Sequence, residues 1–157
     1  MEHIVLNING RDYGVEVEKD WSVLFVLREV LRLTGTKCGC STHNCGACKI
    51  IVNGKAIGAC AIKAVNQVGK KIETIEGLCV NGEMHPLQQA FIDCGAVQCG
   101  YCTPGMIMSA KALLDQNLNP TDEDIQKALA HNLCRCTGYV KIVDAIKEAA
   151  RRMRESA

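Results

Sequence analysis

Aromatic residues make up only 4% of the 157-residue chain, with one Trp, two Phe and three Tyr, so ring packing is not what organises the interior. Net charge is nearly absent as well. Eighteen Lys and Arg stand against 17 Asp and Glu, a formal +1, which removes the basic footprint that nucleic acid or an anionic membrane surface would need. Long apolar runs are missing too: the longest uncharged stretch, Cys94 to Ala110, is broken by Gly95, Gln98, Gly100, Pro104 and Gly105 and falls short of a membrane span. The start, Met1-Glu2-His3-Ile4, carries no basic segment, apolar stretch or small-residue cleavage site. A cytoplasmic location is therefore expected, with neither nucleic acid nor membrane as partner.

What the chain has is cysteine, 11 residues of it. An odd count without an export signal argues against a disulfide framework, because reducing compartments keep thiols free. Metal ligation or redox chemistry is the leading explanation. At 48% hydrophobic and 22% charged, the composition suits a modest core in one domain or two small ones and argues against disorder.

Patterning divides the chain. Ile4 to Ile8 alternates up to an Asn9-Gly10 turn, and Tyr13 to Val17 answers it, which predicts a β-hairpin. Ser22 is placed to cap a helix whose apolar stripe takes in Val23, Val26, Leu27, Val30 and Leu31 and ends near Gly35. Lys49 to Val52 and Ala56 to Ala59 flank Asn53-Gly54 as a second hairpin, and Lys71 to Ile75 reads as one more strand. Beyond Gly77 the period becomes helical over Pro86 to Cys94, Thr103 to about Gln116, Thr121 to Ala130 and Tyr139 to Arg154. The boundary falls between Glu76 and Met84, giving a small β-sheet with one helix and then a helical half.

Each half carries its own cysteine set. Cys40, Cys45 and Cys48 have the spacing C-x4-C-x2-C, with Cys60 after the second hairpin, the plant-type iron–sulfur pattern in which a fourth thiolate closes the site. Cys38 leaves a rival local set of Cys38, Cys40, Cys45 and Cys48 open. Gly39, Gly46, Gly54 and Gly58 surround these thiols and let backbone N–H groups approach sulfur. Such donors matter because a four-thiolate 2Fe–2S cluster carries about −2 when oxidised and about −3 when reduced.

The second set pairs Cys99-x2-Cys102 with Cys134-x-Cys136. Each pair runs toward a helix, through Thr103-Pro104 and Thr137-Gly138, so two threonine-capped N-termini are expected to face one anionic site. Arg135, between two ligands, would add a positive charge beside it. Zinc remains an alternative for this set, and Cys45-Gly-Ala-Cys48 and Cys99-Gly-Tyr-Cys102 each resemble a thiol–disulfide pair. Cys79 and Cys94 read as small buried or spare thiols. His43 and His131 adjoin the sets and are expected beside them or in solvent rather than as ligands, while His3 and His85 show no partner. Arg151, Arg152 and Arg154 read as a helix C-terminus complementing its dipole.

Four stretches carry a family resemblance: Gly35-Thr-Lys-Cys-Gly-Cys40, Cys45-Gly-Ala-Cys48, Gln98-Cys-Gly-Tyr-Cys-Thr-Pro-Gly-Met106 and Asn132-Leu-Cys-Arg-Cys-Thr-Gly-Tyr139. They resemble the iron–sulfur small subunits of molybdenum hydroxylases, the xanthine dehydrogenase and aldehyde oxidase family. The resemblance implies an α+β chain: a plant-ferredoxin-like β-grasp domain over residues 1–77 and an all-α helical bundle over 78–157. It implies one 2Fe–2S cluster on Cys40, Cys45, Cys48 and Cys60, with Cys38 outside the ligand set, and another on Cys99, Cys102, Cys134 and Cys136.

It also implies a large partner subunit with molybdopterin, which Gln98 would touch, and a medium subunit with FAD. Electrons would pass from molybdenum through the helical-half cluster and then the ferredoxin-like one to FAD or another acceptor. An N-heterocycle such as a purine or nicotinate is the expected substrate, bound elsewhere. His43 and His131 stand where the family usually has glycine. The competing readings are a free-standing two-cluster carrier and a zinc-stabilised interaction module.

Overall fold

The computed structural model describes residues 1–157. Five strands form one mixed sheet in the order β2-β1-β5-β3-β4, and the helices follow mainly in the second half, making the chain α+β. Strands β1 (Glu2–Ile8) and β2 (Arg11–Val17) pair antiparallel with Ile4 opposite Val15. Asn9 and Gly10 both take positive φ at their turn, as a two-residue hairpin requires. Strands β3 (Lys49–Val52) and β4 (Lys55–Gly58) repeat the device across Asn53-Gly54. β5 (Lys71–Glu73) lies parallel to β1 and antiparallel to β3, and closes the sheet between the two hairpins.

The first helix departs from its expected course. Ser22 Oγ does accept from Phe25 N at 3.2 Å, but α1 (Val23–Phe25) widens at once into a π-helical turn over Val26–Val30. Arg32 then turns left-handed at φ 59° and ends the segment well before Gly35, leaving Val30 exposed. The Arg28 guanidinium takes over, donating to the carbonyls of Thr34 and Thr36 at 2.9 and 2.8 Å and so fixing the start of the first cysteine loop.

Helices α2 (Pro86–Asp93), α3 (Thr103–Leu114), α4 (Asp122–Leu129) and α5 (Val140–Glu155) lie within about two residues of their expected bounds. Thr121 and Asp124 form the expected capping box. His85, for which the sequence offers no partner, caps α2: its Nδ1 accepts from Leu87 N at 3.1 Å. Arg151 and Arg152 do more than face a dipole, since both grip Glu148 and Arg152 reaches Asp93 at 2.7 Å, tying α5 to α2.

Two hydrophobic clusters result, and strand alternation links them. Ile50 and Val52 join Leu6, Ile8, Leu27 and Ile72 on one face of the sheet. Ile51, equally buried, points the other way into the helical cluster with Met106, Ile107 and Leu114. The halves meet closely where α3 approaches the first cysteine loop, because a Cβ on Gly105 would lie 2.2 Å from Gly46 O and one on Gly46 would lie 2.1 Å from His131 O.

Two outcomes follow from this packing. Gly105→Ala lowers stability by about 1–3 kcal/mol through overpacking, read as a fall in thermal midpoint of about 2–4 °C per kcal/mol at one scan rate; an unchanged midpoint would refute the close approach. Burial, and after it the nearby Lys111 charge, holds the His85 imidazole below the ordinary histidine range. The folded state therefore prefers neutral His85, so this contribution is present above about pH 6.5 and is lost as pH falls below it, where the unfolded chain protonates first. His85→Asn keeps a capping acceptor without a titration, and the thermal midpoint then falls less between pH 7 and pH 5 than in the wild type. An identical slope would remove His85 as the source.

Candidate functional site

The β3–β4 hairpin explains why a cysteine 12 positions away can belong with Cys48. Lys49 faces Gly58 in the register, and Ala59 N donates to the Cys48 carbonyl at 3.0 Å, so the chain continues directly to Cys60 beside Cys48. Their Sγ atoms lie 3.3 Å apart. The Cys40 side chain lies beside that of Cys45. Cys38 takes no part: its exposed Sγ turns to the Cys40 carbonyl at 3.7 Å.

In the helical half, the loops before α3 and α5 bring Cys99 and Cys136 together, with Sγ atoms 3.6 Å apart, and set Cys102 against Cys134. In each set one pair of thiols is thus in contact and the other two lie side by side. Four sulfurs in two pairs match a dinuclear iron–sulfur cluster, in which each iron takes two thiolates. Close glycine backbone is also present: a Cβ on Gly39 would stand 3.0 Å from Cys45 Sγ, and one on Gly58 would stand 3.7 Å from Cys48 Sγ. The donor set and its backbone surroundings fit two such groups.

Electrostatics differ from sulfur to sulfur. N–H groups of Cys45, Asn44 and Thr42 converge on Cys40 and pull its thiol down to about 6. Burial, with Cys48 adding to it, pushes Cys60 up to about 12, and burial together with Cys134 does the same to Cys102. Cys134 goes down: burial opposes its charge, but Thr137 outweighs that by donating through Oγ1 at 3.0 Å and through its backbone N–H at 3.4 Å. This corrects the expected threonine caps. Neither α3 nor α5 has a side-chain cap, and Thr137 serves the sulfur instead. Only the Cys99–Cys102 pair abuts a helix start; Gly138 and Tyr139, both at positive φ, separate Cys136 from α5.

A cleft of about 290 Å³ separates the first cysteine loop, which lines it with Gly39, Cys45 and Ala47, from the second set, which lines it with Cys99, Cys102, Cys134 and Cys136. Leu133 N donates to the Cys45 carbonyl at 2.8 Å across this junction, and Tyr101 Oη donates to the Cys38 carbonyl at 2.5 Å. Buried Asn132 accepts from Ser109 Oγ at 2.8 Å and donates to Gly46 O at 3.3 Å. Arg135 lies exposed on the rim of the cleft, and Gln98 lies exposed beside Cys99. Cys79 is exposed rather than buried, whereas Cys94 packs against the helical cluster. His43 lies against Cys60, and His131 lines the same cleft as His43, beside Cys48.

Comparison with known proteins agrees with this geometry. Residues 6–78 match the 2Fe-2S iron-sulfur cluster binding domain, and residues 74–147 match the [2Fe-2S] binding domain. The chain is 49% identical over 149 residues to the nicotinate dehydrogenase small FeS subunit of Eubacterium barkeri, covering 95% of each chain. It is 44% identical over 146 residues to the nicotine 6-hydroxylase small subunit of Paenarthrobacter nicotinovorans, covering 93% of this chain and 88% of that one. Among solved structures, quinoline 2-oxidoreductase from Pseudomonas putida 86 superposes with a TM-score of 0.93 at 39% identity, covering 98% of this chain and 96% of that one. A pair of 2Fe–2S domains in one short chain, matched end to end by such relatives, shows that the protein belongs to the iron–sulfur small subunits of the molybdenum hydroxylases, the electron-transfer components of oxidoreductase complexes.

Proposed function

We propose that Cys40, Cys45, Cys48 and Cys60 hold one 2Fe–2S cluster and that Cys99, Cys102, Cys134 and Cys136 hold the other. The observation that carries this reading is the grouping of the thiols within each set, Cys48 with Cys60 at 3.3 Å and Cys99 with Cys136 at 3.6 Å, with Cys40 beside Cys45 and Cys102 beside Cys134. When bound, each cluster supplies a site that takes up and releases one electron. The chain's own residues do the rest. Cysteines fix position, the amides around Cys40 and the Thr137 donors on Cys134 favour the anionic form, and burial of Cys60 and Cys102 limits water.

The domain reading places residues 1–77 in a plant-ferredoxin-like β-grasp unit and 78–157 in a helical bundle, supported by the two hydrophobic clusters. Electrons enter at the Cys99 side and leave from the Cys40 side. Cys99 and Cys136 are exposed, and Val97, Tyr101, Leu133 and Val140 around them expose large apolar surface. Such a patch fits coverage by a large molybdopterin subunit, which Gln98 would touch and toward which Arg135 would carry positive charge. An FAD-bearing medium subunit completes the assembly. Oxidation of an N-heterocycle is the reading favoured for the complex, on the strength of relatives named for nicotinate, nicotine and quinoline. A cytoplasmic setting belongs to this reading, since a reducing compartment keeps cysteines available to ligate iron; no helix is long and apolar enough to cross a membrane.

The test is spin-quantified EPR on the dithionite-reduced protein, purified anaerobically in its native assembly, with iron and labile sulfide determined together. Two distinct S = 1/2 signals approaching about two spins per chain are expected. Cys60→Ser and Cys99→Ser should each abolish or alter one signal and leave the other. A single signal with zinc in the second set would overturn the assignment there.

A further inference from the structure

The first cysteine loop treats its two outermost thiols differently. Backbone N–H groups of Thr42, Asn44 and Cys45 wrap around the Cys40 sulfur. Residue 43, in the middle of that wrap, is thereby forced into the left-handed region, at φ 59°, where glycine sits freely and an L side chain rarely does. Successive amides turned toward one anion require such an alternation of backbone sense. The residue that bears it is a histidine, and its side chain leaves the loop on the side of Cys60. Nδ1 lies 3.1 Å from Cys60 Sγ, within hydrogen-bonding distance for sulfur.

Cys60 stands outside that wrap of amides. It is brought in by the hairpin rather than by the amide-rich loop, and it is half-buried.

Resting on the ligand assignment above, we propose that His43 is a positioning residue for the N-terminal cluster, its Nδ1–H donating to the Cys60 thiolate and favouring the reduced, more negative state. A donor to a thiolate is worth more when the group it faces carries more charge, so the bond tightens on reduction and raises the potential of that cluster alone. The tautomer that carries the proton on Nδ1 makes this bond, and His43 shares a cleft with His131.

The experiment is an EPR-monitored redox titration of the native assembly, comparing wild type with His43→Gly and His43→Ala, the N-terminal signal being identified through Cys60→Ser. Both variants lose the donor, but only glycine relieves the left-handed backbone. The expected result is an equal fall in the N-terminal potential in both, with the reduced-to-oxidised ratio at fixed potential dropping about tenfold, or about 59 mV for a one-electron couple, and no movement of the other cluster. Pulsed EPR on protein with 15N-labelled histidine supplies a second readout: a weak nitrogen coupling on the N-terminal signal in the wild type, absent in both variants. An unmoved potential, or a fall in His43→Gly alone, would overturn the hydrogen bond. A strong coupling typical of a coordinated imidazole would overturn it as well. Loss of the N-terminal signal from the wild type itself would instead strike the ligand assignment, and this inference with it.

Discussion

The hydrogen bond from Leu133 N to the Cys45 carbonyl is the contact on which the rest of the molecule depends. It joins a residue of the first cysteine loop to the residue preceding Cys134 in the second, and it can form only if two backbones come within hydrogen-bonding distance. Glycine makes that possible. Gly46 and Gly105 occupy positions where a Cβ would fall 2.1 to 2.2 Å from a neighbouring carbonyl oxygen, and Asn132, 3% exposed, is held between Ser109 and Gly46 without leaving a polar group unpaired. A side-chain interface would have kept the two loops further apart.

That seam explains where the fold tolerates strain. Positive φ at Asn9, Asn53 and Asn81 belongs to Asn-Gly turns, where it is conformationally cheap. His43 and Tyr139 have no such excuse, and both flank cysteine loops. Tyr139 is held by what its side chain does: its hydroxyl accepts from Cys134 N at 2.8 Å and donates to the Asn132 carbonyl at 3.3 Å. Arg32 bends likewise to end the first helical segment, while at His43 and Tyr139 the bent backbone aims amides or side chains at sulfur or at the loops that carry it, and the surrounding bonds keep it there.

Much of this is legible in the sequence. The Asn-Gly turns specify both hairpins, because their turn type needs positive φ at two successive residues. The helix bounds follow from period and caps, and the family resemblance from four short motifs. Other features cannot be read. Alternation in Ile50-Ile51-Val52 shows three apolar residues in a row, but not that the middle one serves a second hydrophobic cluster built largely from residues far along the chain. A π-helical turn keeps the apolar stripe of an α-helix over so short a span, so Val30 reads as buried although it is exposed. Thr137 has the sequence context of a cap, and only the two left-handed residues after it reveal that its hydroxyl serves Cys134. His85 shows no partner in the sequence because its partner is a backbone N–H, which leaves no mark there.

The two cysteine sets also differ in how they meet their surroundings, and the difference suits a chain that relays electrons between other proteins. Cys48 is buried and Cys60 half-buried within the sheet half, whereas Cys99 and Cys136 lie open at the surface among exposed Val97, Leu133 and Val140. A group reached from outside must be at the surface, but it must also be linked to the interior without relying on side chains that can swing away. The Cys45 to Leu133 hydrogen bond meets the second demand, since it leads from the first cysteine loop to the residue beside Cys134 through main-chain atoms alone. Substitution of the Leu133 side chain would leave that route standing; only a change that moves the backbone, at Gly46 or Gly105, can open it. The glycines that let the halves pack are therefore the same ones that keep the two cysteine sets connected.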